Sequence, residues 1–323
     1  MMTKIWLITG AAGGLGRHLV EAALTVGHHV LATDLRADAL AELGGDRGGR
    51  LRTMPLDVTD PAAAGDAVRY AAGAFGGLDV VINNAGYRSV GSIEDMPADD
   101  FRRNIETNLF GSVNLVRAAL PVLRPRRSGH FVQVSTIGGR RAQPGLAAYQ
   151  TAAWALGGFS EILARELAPI GIRSTVLEPG GIRTPFAGEP IPTDGWREEY
   201  EPTVGRFART YQRNPDVQRG DPAKIAQVIL WITEEPDPPV RLLLGSDAVW
   251  LAPQIAGARA AEDAQWRQLS LSTDRDGLPD FAETEVAQLV RPRPPDRPGE
   301  PPGTLHASRV HPAQTAAEHH DRA

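Results

Sequence analysis

The chain has 323 residues, of which 42% are hydrophobic and 23% are charged, and its formal net charge is −5. This composition is typical of a globular protein with one large α/β domain or two small ones, and the acidic balance argues against a nucleic-acid partner. The sequence contains no cysteine, which excludes disulfides and thiolate catalysis, and its histidines lack ligand spacing, so we expect no metal site.

Short apolar runs alternate with amphipathic helical stretches through most of the chain. Continuous apolar strands separated by helices predict a parallel sheet that is covered on both faces. The expected fold class is therefore α/β, a doubly wound parallel sheet of about seven strands in a single domain. The predicted strands are Lys4–Thr9, Val30–Thr33, Leu51–Leu56, Leu78–Ile82, Phe131–Val134, Ile172–Leu177 and Arg241–Leu244.

Residues 9–16, with the sequence TGAAGGLG, end the first strand and open the first helix. Glycines at 10, 14 and 16 permit a tight turn and a close approach of the backbone to a pyrophosphate. The helix that begins around Leu15 supplies free N–H groups and a favourable dipole. An ordinary glycine-rich turn has the same composition, but Gly10, Gly14 and Gly16 in this position favour a dinucleotide site.

Asp34 ends the second predicted strand. A carboxylate there can accept hydrogen bonds from both hydroxyls of the adenine ribose, and it repels a 2′-phosphate. The pattern favours NAD over NADP, although Arg36 is close enough to weaken the preference. The alternative is an aspartate that caps the next helix.

The sequence AAYQTAAWALGGFSE, residues 147–161, predicts a helix with Tyr149 near its start. A phenol has a reference pKa of about 10, and a cation at ~4 Å would favour the phenolate by ~4 kcal/mol at an effective dielectric of about 20. A lysine four residues later would lie on the same helix face. The residue there is Ala153. Arg140 and Arg141 precede Tyr149, and we expect both to point to solvent.

The glycine turn, the NNAG sequence at residues 83–86 and Tyr149 together resemble the short-chain dehydrogenase/reductase family, with its Rossmann-type sheet. The resemblance covers residues 3–250, and it is most similar to the 17β-hydroxysteroid-dehydrogenase-like branch. It implies that Asp57 and Val58 contact the adenine ring. It also implies further nucleotide contacts from Asn84, Ala85, Gly86, Pro179, Gly180, Ile182 and Thr184.

The same resemblance implies catalytic roles. Tyr149 would be the general acid or base, and Thr136, 13 residues before it, or the adjacent Ser135 would orient the substrate oxygen. Asn108 would hold a water in a proton relay. Structural interpretations stay open, because Ser135 and Thr136 can bond local backbone and Asn108 can join two helices. Ala153 stands where the family keeps a lysine, so activity should be slow or shifted to high pH.

The expected function is NAD(P)-dependent hydride transfer between the nicotinamide and an alcohol or ketone, with an apolar substrate. One alternative is a dinucleotide-binding protein without turnover or with a regulatory role. Another is a non-redox enzyme, such as a cyclase or an isomerase, on the same fold.

The expected organisation is a dinucleotide-binding domain at 1–250 with a substrate insert at 181–219, a helical extension at 251–285 and a disordered Pro-rich tail at 286–323. No apolar run reaches the ~20 residues of a membrane span, and the N-terminus lacks signal-peptide features. We therefore expect a cytoplasmic protein with a small-molecule substrate. The family resemblance implies a homodimer or homotetramer.

Overall fold

A computed structural model of the chain describes residues 2–45, 47–184, 195–214 and 218–291. Its strands are β1 (Ile5–Thr9), β2 (His29–Asp34), β3 (Leu51–Pro55), β4 (Val80–Asn83), β5 (Gly129–Val134), β6 (Ile172–Pro179) and β7 (Arg241–Leu244). They form one parallel sheet in the order β3-β2-β1-β4-β5-β6-β7. The predicted doubly wound sheet of seven strands is confirmed, with strand ends that differ from the predicted ones by at most two residues.

The α-helices of the described residues are α1 (Gly14–Thr25), α2 (Ala37–Ala41), α3 (Pro61–Phe75), α4 (Ala98–Ile105), α5 (Gly111–Arg126), α6 (Ala147–Leu167), α7 (Arg206–Arg213), α8 (Pro222–Glu234), α9 (Ser246–Leu271) and α10 (Glu285–Val290). Two of them begin with an Asp-Pro pair. The side chains of Asp60 and Asp221 accept from backbone N–H groups in the first turns of α3 and α8. Each aspartate caps its helix, and the proline follows at the position that needs no N–H donor.

The core has one part on each face of the sheet. Along β1, Trp6 and Ile8 pack with α1 and α8, whereas Leu7 packs with α3, α5 and α6. Successive side chains of a strand point to opposite faces, so a continuous apolar strand is what a sheet covered on both faces requires.

The strand order reverses between β1 and β4, which are neighbours in the sheet although β2 and β3 come between them in sequence. The loops after these two strands diverge and leave a crevice at their carboxyl ends. Ligands of doubly wound sheets bind at such a switch point. The glycine turn follows β1, and the NNAG sequence begins at Asn83, the last residue of β4. The fold therefore brings both motifs to this crevice.

The chain divides into two compact units, residues 1–262 and residues 263–323. Within the predicted insert, the described residues include α7, while 185–194 and 215–217 lie outside the described residues. The predicted extension at 251–285 includes most of α9, which begins earlier, at Ser246. Residues 286–290 of the predicted tail lie in α10, and 292–323 are outside the described residues. No helix in the described part of the chain is long and apolar enough to cross a bilayer.

Candidate active site

A cavity of about 1600 Å³ is lined by the loops that follow β1 to β6. The four predicted catalytic residues, Ser135, Thr136, Tyr149 and Asn108, all line it. So do the predicted nucleotide-binding residues, with Gly16 as the exception. The sheet therefore brings together residues that are far apart in sequence.

The glycine turn depends on glycine for two separate reasons. Gly10 and Gly14 have φ values of +61° and +50°, a region that other residues rarely adopt. Gly16 has ordinary backbone angles, but a Cβ there would lie 2.0 Å from the carbonyl oxygen of Gly10. Gly16 thus lets α1 pack against the turn, and it does so without lining the cavity. No side chain caps the N-terminus of α1, so its first N–H groups are available to a ligand.

Asn84 fastens the loop after β4 to the glycine turn. Its side-chain nitrogen donates to the carbonyl oxygens of Thr9 and Gly10, at 3.0 and 3.1 Å. In return, the hydroxyl oxygen of Thr9 accepts from the backbone N–H groups of Asn84 and Ala85, each at 3.0 Å. The amide of Asn84 therefore fixes the shape of the turn.

Asp34 lies beside the same turn, and its side chain is 13% exposed. One carboxylate oxygen accepts from the backbone N–H of Ala12 at 3.1 Å, and the other accepts from that of Arg36 at 3.2 Å. The Arg36 Nε lies 3.7 Å from this second oxygen. Asp57 is exposed at the cavity and Val58 is buried beneath it.

Asp247, in the first turn of α9, holds the loop that follows β6. Its carboxylate accepts from the backbone N–H groups of Gly181 and Ala248, at 2.8 and 3.0 Å. A Cβ on Gly180 would meet this carboxylate at 2.1 Å. The same loop brings the Thr184 Cβ within 3.4 Å of the position of a Cβ on Gly14. The loop after β6 thus lies against the glycine turn.

Tyr149 is the third residue of α6, and its half-buried side chain is hydrogen-bonded to that of Thr136. Burial raises the pKa of the Tyr149 phenol to about 12, because the charged form is poorly solvated there. The positive charge of Arg88 and the hydrogen bond with Thr136 oppose this rise without cancelling it. The phenol is therefore protonated across the neutral range.

Thr136 caps the short 3₁₀ turn Ile137–Gly139, accepting from the backbone N–H of Gly138 at 3.1 Å. Its hydroxyl donates to the Pro179 carbonyl oxygen at 3.4 Å. Ser135 instead donates to the backbone carbonyl of Ala153 at 3.5 Å. Ala153 is 5% exposed and also lines the cavity. Of the two hydroxyls, that of Thr136 is the one hydrogen-bonded to the phenol.

Asn108 lies in a π-helical turn, Glu106–Phe110, between α4 and α5. Its side-chain oxygen accepts from the Tyr87 backbone N–H at 3.1 Å, and its nitrogen donates to the Tyr87 carbonyl at 3.0 Å. The nitrogen also donates to the Asn104 backbone carbonyl at 2.9 Å. A Cβ on Gly86 would lie 2.4 Å from the Asn108 oxygen. The side chain of Asn108 therefore holds the loop after NNAG against this π turn.

The expectation that Arg140 and Arg141 point to solvent is wrong. Arg140 Nε donates to Glu178 Oε2 at 2.9 Å, and Glu178 is a 1%-exposed carboxylate that also pairs with Arg241. Arg141 is half-buried and lines the cavity. Burial lowers the pKa of its guanidinium, against the opposing influence of Tyr211 and Asp247. Arg140 thus pairs with the buried carboxylate of Glu178, and Arg141 is partly enclosed in the wall of the cavity.

Arg88 and Asp247 line the cavity although they were not among the predicted site residues, and so do Arg141 and also Tyr211, which belongs to the predicted substrate insert. The Arg88 guanidinium carbon lies 5.7 Å from the centre of the Tyr211 ring. Arg88 and Asp247 each follow the carboxyl end of a strand closely, and that position is a usable signal for a site residue.

The sequence matches the short chain dehydrogenase family over residues 4–194. Its fold is similar to that of a short-chain dehydrogenase from Streptomyces avermitilis, with a TM-score of 0.76 and 35% identity. That similarity covers 84% of this chain and 98% of the other. It is also similar to the oxidoreductase BOA17 of Botryotinia fuckeliana (strain B05.10), with 47% identity over 274 residues, covering 84% of this chain and all of the relative.

Two more distant relatives have names that describe an activity. The 3-ketodihydrosphingosine reductase of Bacteroides thetaiotaomicron is 30% identical, covering 76% of this chain and 89% of the relative. The D-beta-hydroxybutyrate dehydrogenase of Rhizobium meliloti (strain 1021) is 29% identical, and the similarity covers 82% of this chain and 99% of the relative. Taken with the sheet order and the cavity, these similarities show that the chain belongs to the short-chain dehydrogenase/reductase family of oxidoreductases.

Proposed function

We propose that the chain is an NAD(P)-dependent oxidoreductase that transfers a hydride between the nicotinamide and an alcohol or ketone. The observation that carries the proposal is the hydrogen bond between Tyr149 and Thr136, in the same cavity as the glycine turn and Asp34. When bound, the nicotinamide would supply or accept the hydride.

The residues present fit a dinucleotide. The turn has no Cβ at Gly10, Gly14 or Gly16, and the N-terminus of α1 is uncapped, as a pyrophosphate requires. Asp34 stands beside this turn to accept from the ribose hydroxyls and favours NAD. We assign Asp57 and Val58 to the adenine. Residues Asn84 to Gly86 would support the turn, and Pro179, Gly180, Ile182 and Thr184 would border the nicotinamide end.

The protein's part in the reaction is to position the substrate and move one proton. The Thr136 hydroxyl would orient the substrate oxygen and Tyr149 would exchange the proton with it, while Ser135 and Asn108 would hold the walls of the site. A phenol with a pKa of about 12 is present in the protonated form at neutral pH. It can donate to a carbonyl oxygen, whereas the phenolate needed to deprotonate an alcohol is scarce. We therefore propose that carbonyl reduction is the favoured direction near neutral pH.

The cavity supports a substrate with an apolar body. Leu146, Phe207 and Tyr211 line it, and the two aromatic ring centres lie 5.8 Å apart. We keep the similarity to the 17β-hydroxysteroid-dehydrogenase-like branch and a cytoplasmic location as proposals. Exposed apolar side chains such as Phe110, at the end of the π turn before α5, and Ile162 of α6, at 45% and 58%, support pairing through these helices in a homodimer or homotetramer.

The test measures NADH and NADPH binding first, and then turnover on aliphatic, aromatic and steroid ketones. The native chain, Ala153→Lys and Tyr149→Phe are compared. We expect NADH to bind all three, and turnover to be slow in the native chain, faster in Ala153→Lys and lost in Tyr149→Phe. Failure of both dinucleotides to bind would refute the nucleotide site. Binding without turnover by the native chain or Ala153→Lys would favour a binding or regulatory protein or a non-redox enzyme.

A further inference from the structure

The cavity that Tyr149 lines also contains the guanidinium of Arg141, which has no paired carboxylate among the residues that the structure describes. The Nε of Arg141 is buried and has no hydrogen-bond partner. Arg141 forms no ion pair with any residue in the ranges that the structure describes. Burying a charged donor without an acceptor costs free energy. An anion that accepted from this donor would remove that cost, which would increase the affinity for the anion.

The loop that carries Arg141 is held firmly. The indole N–H of Trp154 donates to the carbonyl oxygens of Gly138 and Arg141, at 2.9 and 3.3 Å. The guanidinium of Arg259 lies 4.3 Å from the centre of the Trp154 ring and also donates to the carbonyl of Arg140. Contacts from α6 and α9 thus fix the backbone from which the Arg141 side chain extends.

The carboxylate whose charge acts on Arg141 is engaged elsewhere. Asp247 acts on Arg141 through its charge, but its two oxygens accept from the backbone N–H groups of Gly181 and Ala248. Asp247 therefore holds the loop after β6 with both carboxylate oxygens, and the buried Nε of Arg141 is left for an acceptor from a ligand in the cavity.

A second arginine lies on the same part of the wall. Arg88 lies over the ring of Tyr211, and its charge acts on the Tyr149 phenol. Tyr211 is also an electrostatic neighbour of Arg141. Two guanidiniums thus share one aromatic neighbour beside the proposed proton donor. A guanidinium recognises a planar carboxylate well, since it can offer two parallel N–H donors.

We propose that the substrate carries a carboxylate, which Arg141 binds with the help of Arg88, next to the carbonyl that Tyr149 would protonate. This inference rests on the proposed function and names its substrate class, an oxo acid with an apolar body. The body would contact Leu146 and Phe207. The phosphates of the dinucleotide are another possible source of an anion, but they belong to the glycine turn and the N-terminus of α1.

The experiment compares aliphatic and aromatic oxo acids with their methyl esters. Dissociation constants are measured by calorimetry with and without NADH, for the native chain, Arg141→Gln, Arg141→Lys and Arg102→Gln. Arg102 is a matched control, because it is 76% exposed, pairs with Asp99 and does not line the cavity. Turnover of each acid and ester is then measured in the Ala153→Lys background.

We expect the native chain to bind acids about tenfold or more tightly than esters, as a charge-assisted hydrogen bond implies. Arg141→Gln should remove this preference, Arg141→Lys should keep part of it, and Arg102→Gln should leave it unchanged. Equal binding of acids and esters by the native chain overturns the inference, even if Arg141→Gln does not fold. Loss of NADH binding in Arg141→Gln with the acid preference intact would assign the guanidinium to the coenzyme. Turnover of neutral ketones without any preference for acids would support the proposed function while refuting the carboxylate.

Discussion

The hydroxyl of Ser135 donates to the backbone carbonyl of Ala153 and so ties the end of β5 to α6 one helical turn beyond Tyr149. The family resemblance implies a lysine at this point of the cavity wall. Ala153 lines the cavity at this position, but its side chain carries no charge. The consequences for the phenol can be measured.

The first prediction concerns Ala153→Lys. A cation placed ~4 Å from the phenol at an effective dielectric of about 20 would lower its pKa by up to roughly three units from the present value of about 12. We expect alcohol oxidation at neutral pH to rise about a hundredfold or more. The measurement is kcat/KM for oxidation, together with a spectroscopic titration of the phenol referenced to Tyr149→Phe. Ala153→Met, which has similar length and no charge, should show neither change. An equal gain in the methionine variant would contradict the electrostatic explanation.

The second prediction is the pH dependence of the native chain. The pKa of Tyr149 in the folded protein is about 12, above the ordinary value of about 10, so protonation is favoured throughout the neutral range. Oxidation, which uses the phenolate, should increase about tenfold per pH unit from neutrality upward as long as the fold persists. Reduction, which uses the phenol, should be nearly flat over the same range. Profiles of kcat/KM in both directions check this, and a plateau of oxidation near pH 7 would show that the phenol titrates much lower.

The fold was predictable because its signals are local. Each apolar run needs only its own residues to indicate a buried strand, and the glycines at 10, 14 and 16 indicate a tight turn before a helix. The charges in the cavity were not predictable in this way. Arg141 is enclosed because Trp154 on α6 holds its loop and Arg259 on α9 stacks on that tryptophan. Adjacent arginines in a loop resemble a solvated surface until such long-range contacts are known.

The third prediction separates the two hydroxyls that the sequence left as alternatives. Thr136→Val removes the hydroxyl that is hydrogen-bonded to the Tyr149 phenol, and we expect kcat to fall about a hundredfold, the usual effect of losing an oriented polar group in an active site. Ser135→Ala removes only a 3.5 Å bond to a backbone carbonyl, so kcat should change by a few fold at most. Thermal melts of both variants accompany the kinetics, because Thr136 also accepts from Gly138. A larger loss of kcat in Ser135→Ala than in Thr136→Val would assign the orienting role to Ser135 instead of Thr136.

The fourth prediction tests the packing of the glycine turn. A methyl group in Gly16→Ala would lie 2.0 Å from the carbonyl oxygen of Gly10, so α1 or the turn must shift. We expect a loss of about 1–3 kcal/mol in stability and a marked loss of NADH affinity. Gly158→Ala is the matched control, since this glycine is within α6 and a Cβ there meets nothing within 4 Å. Chemical denaturation and fluorescence titration give both quantities. If Gly16→Ala is destabilised but keeps its NADH affinity, the packing of the glycine turn is not needed for nucleotide binding.

The fifth prediction concerns the choice of coenzyme. Asp34 places a negative charge beside the turn and would repel a 2′-phosphate, so the native chain should bind NADH more tightly than NADPH. Asp34→Ser removes that charge and leaves Arg36 in place, and Arg36 Nε now lies 3.7 Å from the carboxylate. We expect the ratio of the two dissociation constants to shift toward NADPH by about tenfold or more, given a like-charge repulsion of roughly 1–4 kcal/mol at ~4 Å. Adding Arg36→Gln to Asp34→Ser should reverse much of the gain, because the 65%-exposed guanidinium is the group that would face the phosphate. If the double variant keeps the full preference for NADPH, Arg36 does not take part in selecting the coenzyme. A native chain that already prefers NADPH would refute the role assigned to Asp34.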